Sequence, residues 1–338
     1  MLKESIAKLA VKENLSREEA LADMREIMSG KADPVEVGAY LTALSMKGET
    51  VEEITASAEG MTEAAVQIHP QGDVLEIVGT GGDKAYTFNI STTSMFVIAA
   101  AGTHVAKHGN RGVSSKSGAA DVLERLGVKI DNTPTFTEKM ENDIGIAFLF
   151  APVYHSAMRY VAPVRKALGI RTVFNILGPL TNPANPSMAI IGVYSKDLVR
   201  PIAEVLQMRG LKRGLVVFGD DVLDEISASS TTSVAELEDG NITEYTLDPR
   251  DFGLELGKKS ELAGGDPADN AQITLDILKG RERGTKRNAV LLNAGAGLYL
   301  SGKADNMADG IRLAAELIDN GKAKAKLDAF AAYSQQGR

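Results

Sequence analysis

The stretch VGTGGDKAYTFNIST, residues 78–92, packs glycines at 79, 81 and 82 and follows them with hydroxyl and amide side chains. Glycine lets backbone N–H groups approach an anion closely and gather into a concave nest. The apolar run VLEIV before it, residues 74–78, reads as a strand, and in an α/β sheet ligands bind beyond the carboxyl ends of strands. The string is not a dinucleotide fingerprint, because Lys84 stands where the third glycine belongs, and it is not a P-loop. The nearest Walker-like string, GLYLSGKA at residues 297–304, ends in Ala304 without the hydroxyl that holds magnesium, and its Gly302 suits a helix end.

A second loop, KHGNRGVSS at residues 107–115, combines two cations with glycines and short polar side chains, a set able to wrap a pyrophosphate. Alone, such a cluster is usually a turn. Two of them, after two successive strands, point to one anionic ligand; the second strand is read as MFVIAAA, residues 95–101. The third element is Asp224-Glu225 within VVFGDDVLDEIS. Adjacent acids past a strand most often form a solvated loop. Facing several phosphate charges, they suggest magnesium held by one or two carboxylates plus ligand oxygens, with the Ser91 hydroxyl as a further donor. The four histidines lack metal-ligand spacing, and no Ser/His/Asp arrangement is evident.

Charge distribution supports an anionic ligand. The chain of 338 residues carries a net charge of −8, which argues against a general nucleic-acid or membrane surface. Yet residues 84–120 and 144–196 contain no Asp or Glu while keeping Lys84, Lys107, Arg111, Lys116, Arg159, Arg165, Lys166, Arg171 and Lys196. Buried strands and helices explain part of that depletion; they do not explain why the cations stayed. The absence of cysteine excludes disulfides and thiolate chemistry. The N-terminus lacks a signal-peptide pattern and no apolar run approaches bilayer length, so a soluble cytoplasmic protein is expected.

The elements that must position these loops follow from pattern. Residues 1–68 read as helical, with capping boxes at Ser16/Glu19 and Thr50/Glu53 and an N-cap with proline at Asp33-Pro34. From Val74 onward, VLEIV, MFVIAAA, IAFLFA, AIIGVYS, GLVVFG and AVLLNAG read as strands alternating with helices. The expected fold class is therefore α/β: a mostly parallel sheet with flanking helices plus a smaller all-α domain. Residues 1–68 would form the small domain, joined by a helical piece at about 161–186, and residues 74–160 and 187–338 the large one.

In this order and spacing, GTGGD, NIST, KHGNR and DEIS, together with RYVAPVRKALGIRTVFNILGPLTNPA at residues 159–184 and NAGAG at 293–297, resemble the anthranilate phosphoribosyltransferase family of tryptophan biosynthesis. The likeness runs the whole chain. It implies a nucleoside phosphorylase/phosphoribosyltransferase-like fold, a homodimer through the helical domain, and phosphoribosyl pyrophosphate (PRPP) bound with Mg2+, two ions per subunit, between the domains. It assigns PRPP to Gly79, Gly82, Asp83, Thr87, Asn89, Ile90, Ser91, Thr92, Lys107, His108, Gly109, Asn110, Arg111, Gly112, Val113, Ser114, Ser115 and the position of Ala119. Anthranilate falls to Gly79, Asn110 and Arg165, with His108, His155, Met158 and Pro179 along its route, and the metal to Ser91, Asp224 and Glu225. Association with anthranilate synthase components is a further implication. Two departures stand out: Ala119 replaces a hydroxyl residue that touches the diphosphate, and Val222 stands where glycine is common.

The implied chemistry suits the residues. Displacing diphosphate from ribose C1 builds positive charge on the sugar and negative charge on the leaving group, which Lys107, backbone donors and magnesium would stabilise. The aromatic amine is neutral at pH 7 and needs no strong general base; Arg165 can hold the carboxylate bidentately. A pyrimidine nucleoside phosphorylase needs a single phosphate and no magnesium pair. A nucleic-acid-binding relative would need a basic surface, and a non-catalytic PRPP binder shares the motifs.

Overall fold

The computed structural model describes residues 2–112 and 116–337. Val113, Ser114 and Ser115 of the second loop lie outside the described residues. Four helices come first: α1 (Leu2–Ala10), α2 (Arg17–Met28), α3 (Pro34–Lys47) and α4 (Val51–Glu63). Their starts are set locally: Ser16 and Thr50 each close a capping box with Glu19 and Glu53, and the Asp33 side chain accepts the Val35 N–H ahead of Pro34. Each such cap stabilises its helix by about 1 kcal/mol.

The chain then alternates: β1 (Val74–Gly79), α5 (Ile90–Ala100), β2 (His104–Gly109), α6 (Ala119–Arg125), α7 (Pro134–Ile144), β3 (Ile146–Phe150), α8 (Ala151–Tyr154), α9 (Met158–Leu168), α10 (Phe174–Leu177), β4 (Met188–Gly192), α11 (Val199–Met208) and β5 (Arg213–Gly219). A hairpin of β6 (Thr232–Glu238) and β7 (Asn241–Leu247) precedes α12 (Pro267–Leu278), α13 (Thr285–Leu300), α14 (Met307–Asp319) and α15 (Lys322–Ser334). The seven strands run in the order β3-β2-β1-β4-β5-β6-β7, parallel from β3 through β5 and antiparallel in the final hairpin. Strand order reverses direction between β1 and β4, so the crevice above their carboxyl ends is the sheet's topological switch point.

One face of the sheet packs on α5 and α13, with α15 against α5, and Phe96, Val97, Ile98 and Phe330 are fully enclosed. On the other, side chains of β4 to β6 share a core with α11 and the N-terminal helices, and α9 lies against α2 and α3.

Two expected strands are helices. MFVIAAA falls in α5 and AVLLNAG in α13. Both are enclosed on nearly every side, so their sequences are apolar all round and carry no 3.6-residue stripe; such runs cannot be told from buried strands by periodicity. The strand before the second loop is instead β2, HVAKHG. The glycines of NAGAG serve helix packing: a Cβ on Gly295 would lie 2.7 Å from the Ile311 side chain, and one on Gly297 would collide with Ile98. Gly302, with φ +66°, ends the turn after α13, as its sequence context suggested.

Candidate active site at the switch point

The first glycine loop leaves β1 at Gly79 and folds over the Asp224 loop. Its anion within the fold is a carboxylate: Gly81 N–H donates to Asp224 Oδ2 at 2.6 Å, and a Cβ on Gly79 would collide with that same carboxylate. A Cβ on Gly192, at the end of β4, would strike the Asp224 backbone, so glycine at both strand ends is what admits the acidic loop. Gly81 and Gly82 adopt φ of +69° and +77°, while Lys84 and Tyr86 hold left-handed conformations that cost non-glycine residues of order 1 kcal/mol each. Asp83 accepts the Ala85 N–H at 3.1 Å and, more weakly, the Asp224 N–H at 3.4 Å. Thr87 pairs with Ala263 across a β-bridge.

Below the loop lies the N-terminus of α5, capped by Asn89 without a side-chain hydrogen bond. Asn89 instead accepts the Asn270 amide at 2.9 Å. Ile90, Ser91 and Thr92 are buried, and Ser91 N–H donates to Glu225 Oε1 at 3.1 Å. Lys107 is only 2% exposed; its ammonium donates to Ile77 O at 2.5 Å and Ser91 Oγ at 3.1 Å. Burial lowers its pKa, opposed by the charges of Glu76, Glu225 and Asp224. Burial likewise raises Asp224 well above the carboxylate range and pushes Glu225 up to about 7, with Asp83 adding repulsion to both.

These groups suit a divalent cation. Two carboxylates and a hydroxyl are hard oxygen donors, and their raised pKa values mark negative charge that a cation would offset. Among the described residues no group of three or more His, Asp or Glu side chains forms a ready cage. The set therefore fits magnesium shared with oxygens of a bound ligand, the manner in which magnesium usually binds phosphates.

The second loop begins with His108, Gly109, Asn110, Arg111 and Gly112. Arg111 is already paired, with Asp121 at 3.0 Å and Glu124 at 2.6 Å, and lies 5.5 Å from the Phe150 ring centre. Asp121 also accepts the Gly112 and Gly118 N–H groups at 2.8 and 2.9 Å. The acids of α6 thus hold Arg111, Gly112 and Gly118 in place. Ala119 opens α6 beside Gly109, where a Cβ would approach to 3.2 Å.

On the other side of β2 the rings of buried His108 and His155 stand 5.0 Å apart at 49°. Burial drives their pKa values down to about 3 and about 4, so both are neutral at pH 7. His108 Nδ1 faces Gly178 O at 3.3 Å, next to buried Pro179, and its Nε2 is buried without a partner among the described residues. Met158 opens α9, which also carries half-buried Arg165, its guanidinium 5.4 Å from the Phe174 ring centre. Burial alone lowers the Arg165 pKa, and no described carboxylate pairs with it.

The fold thus gathers Gly79, Gly82, Asp83, Asn89, Ser91, Thr92, Lys107, Asp224 and Glu225 above β1 and groups His108 with His155 and Pro179. No described hydrogen bond or ion pair joins Arg165 to either set. Three supporting residues have no role assigned from the sequence. Arg171 stacks 4.0 Å from the Tyr194 ring centre and donates to Gly82 O at 2.7 Å, pinning the glycine loop. Asn293 bonds both backbone groups of Ile226, at 3.1 and 2.9 Å, and so sets the acidic pair. Glu76 lies beneath Lys107 and His108; its only sequence signal is an acid inside an otherwise apolar strand. Val222, before the acidic pair, has φ +64°, which explains why glycine suits that place.

Two family descriptions match the chain: the helical bundle domain of a glycosyl transferase family over residues 3–65, and its a/b domain over residues 71–324. The anthranilate phosphoribosyltransferase of Methanobrevibacter smithii is 56% identical over 334 residues, covering 99% of both chains, and that of Lachnoclostridium phytofermentans 54% identical, covering 99% of this chain and all of its own. The crystal structure of the Thermus thermophilus anthranilate phosphoribosyltransferase superposes with a TM-score of 0.93 at 43% identity, covering 98% of this chain and 99% of its own. The Saccharomyces cerevisiae enzyme in complex with PRPP and Mg superposes at 0.91 with 31% identity, covering 99% and 98%. Such identity across essentially the full length of both chains places this chain in the anthranilate phosphoribosyltransferase family.

Proposed function

We propose that the chain transfers the phosphoribosyl group of 5-phospho-α-D-ribose 1-diphosphate to the amine of anthranilate, giving N-(5-phosphoribosyl)anthranilate and diphosphate, a step of tryptophan biosynthesis. The observation that carries this reading is the convergence of Lys107, Ser91, Asp224 and Glu225 under a glycine loop at the switch point. A single-phosphate reaction has no use for two buried carboxylates whose charge calls for a cation.

In this reading the C1–O bond to diphosphate breaks as the N–C1 bond forms. Lys107 and the N–H groups of the two loops stabilise the departing charge, where preorganised donors act most strongly. Asp224, Glu225 and the Ser91 hydroxyl would hold magnesium, two ions per subunit, which would supply neutralisation of the diphosphate charge. Arg165 takes the anthranilate carboxylate and aims the amine, while neutral His108, His155, Met158 and Pro179 line the approach. The amine attacks as the free base and sheds its proton afterwards, so no side chain serves as general base. The remaining PRPP contacts are those expected from the loops through Ser115.

Residues 1–68 and 161–186 are read as the small domain and residues 74–160 and 187–338 as the large one, with PRPP between them. The homodimer reading is supported by a groove of about 660 Å³ lined by Leu9, Val35, Ala39, Ala43, Met46 and Leu168, in which Val35 and Met46 are each 79% exposed. A cytoplasmic location, with association with anthranilate synthase components, completes the reading; among the described residues no helix is long and apolar enough to cross a membrane. The deciding experiment follows anthranilate fluorescence. Loss of signal only when anthranilate, PRPP and magnesium are all present supports the reading, and no loss with all three present refutes it.

A further inference from the structure

β1 reads VLEIVG, and Glu76 at its centre has no exposed surface. A carboxylate inside the middle of a parallel sheet costs several kcal/mol unless its oxygens are satisfied. Here both are. Oε1 accepts the His108 N–H at 2.9 Å, and Oε2 accepts the Asn182 side-chain amide. Asn182 also donates to Ala106 O at 2.8 Å and accepts the Ala184 N–H at 2.8 Å. One carboxylate therefore joins β1, β2 and the segment that carries Gly178 and Pro179. His108 is thus fixed twice, by its backbone N–H on Glu76 and by its ring, whose Nδ1 faces Gly178 O.

We propose that Glu76 is a positioning residue for the acceptor: through His108 and Asn182 it fixes the wall against which anthranilate is held relative to the ribose carbon. This rests on the phosphoribosyl-transfer reading. Glu76 touches neither substrate and acts only through its partners. Its isosteric amide, Glu76→Gln, keeps the volume but has one acceptor oxygen for two donors, so its N–H group must face either the His108 N–H or the Asn182 amide. Asn182→Ala breaks the same link from the other side.

The test measures initial rates from anthranilate fluorescence, varying each substrate in turn, for wild type, both single variants and the double. Each single variant is expected to raise the anthranilate KM at least fivefold while moving the PRPP KM less than twofold, and the double to be no worse than the more affected single, because both cut one link. An unchanged anthranilate KM in both variants, or a parallel rise for both substrates, overturns the proposal. Should Glu76→Gln fail to fold by circular dichroism, Asn182→Ala decides by the same split; failure of both to fold assigns the link to stability alone and overturns the proposal. An inactive wild-type chain sinks the functional reading and this proposal with it, whereas an active one with an unaltered split sinks only the latter.

Discussion

Replacing Arg165 with alanine should separate the two substrates. Arg165 is half-buried on α9, its pKa lowered by burial, and no described carboxylate offsets that desolvation. The one described contact of its side chain is the Phe174 ring at 5.4 Å, worth about 0.5–1 kcal/mol. A cation kept at such a site gains most when an anionic ligand arrives, and a charge-assisted hydrogen bond to a carboxylate is worth about 1.5–3 kcal/mol. Arg165→Ala should therefore lower kcat/KM for anthranilate roughly 10- to 150-fold, leaving that for PRPP within about threefold. Arg165→Lys, which keeps the charge but loses the planar fork, should fall between. Because the lost ring contact is balanced by relief of desolvation, the thermal midpoint should move by no more than about 2 °C. The assay is the fluorescence rate with each substrate varied, paired with a thermal melt. An equal fall for both substrates, or a drop in midpoint tracking the loss of rate, would show that Arg165 is a structural cation and refute the argument.

The acidic pair offers a second test. With Asp224→Asn and Glu225→Gln together, the magnesium optimum should shift upward and turnover fall while the fold stays intact; a normal magnesium profile at normal turnover would remove the metal assignment. Asp23, fully buried in the N-terminal helices, has no well-formed hydrogen bond to either carboxylate oxygen among the described residues, and burial pushes it up to about 6 from 3.8, with Ser5 opposing only in part. The folded state thus binds that proton more tightly than the unfolded chain, so stability is fully present below about pH 4 and lost as pH rises through 6. Asp23→Asn should accordingly stabilise by about 1–3 kcal/mol at pH 7.5 and by nearly nothing near pH 4, as thermal melts at the two pH values would show; equal gains at both would contradict this. For assembly, Val35→Glu with Met46→Glu should yield monomers by light scattering, and an unaltered dimer would place the interface elsewhere. Leu41 and Leu44, equally apolar in sequence, are fully buried, so charges there would test folding instead.

Much of this protein is decided by neighbours in sequence. Ser16, Thr50 and Asp33 start their helices because capping needs only the next few residues, and those starts are legible directly. The glycine loops, the lysine of KHGNR and the adjacent acids are equally local signals, and the family likeness rests on their order along the chain. What required tertiary structure depends on groups far apart. MFVIAAA and AVLLNAG became helices because each is enclosed on almost every side, which erases the periodicity that would have distinguished them from strands. Arg111, a free cation by sequence, is paired by Asp121 and Glu124 once α6 folds back beside it. The anion that meets Gly81 is Asp224, over a hundred residues later, brought there only when β1 and β4 lie side by side. The roles of Glu76, Asn182 and Asn293 are likewise not legible locally, although both amides fall inside strings that carry the family likeness: a buried acid or amide has meaning only through the groups that converge on it, and that convergence exists only in the folded chain.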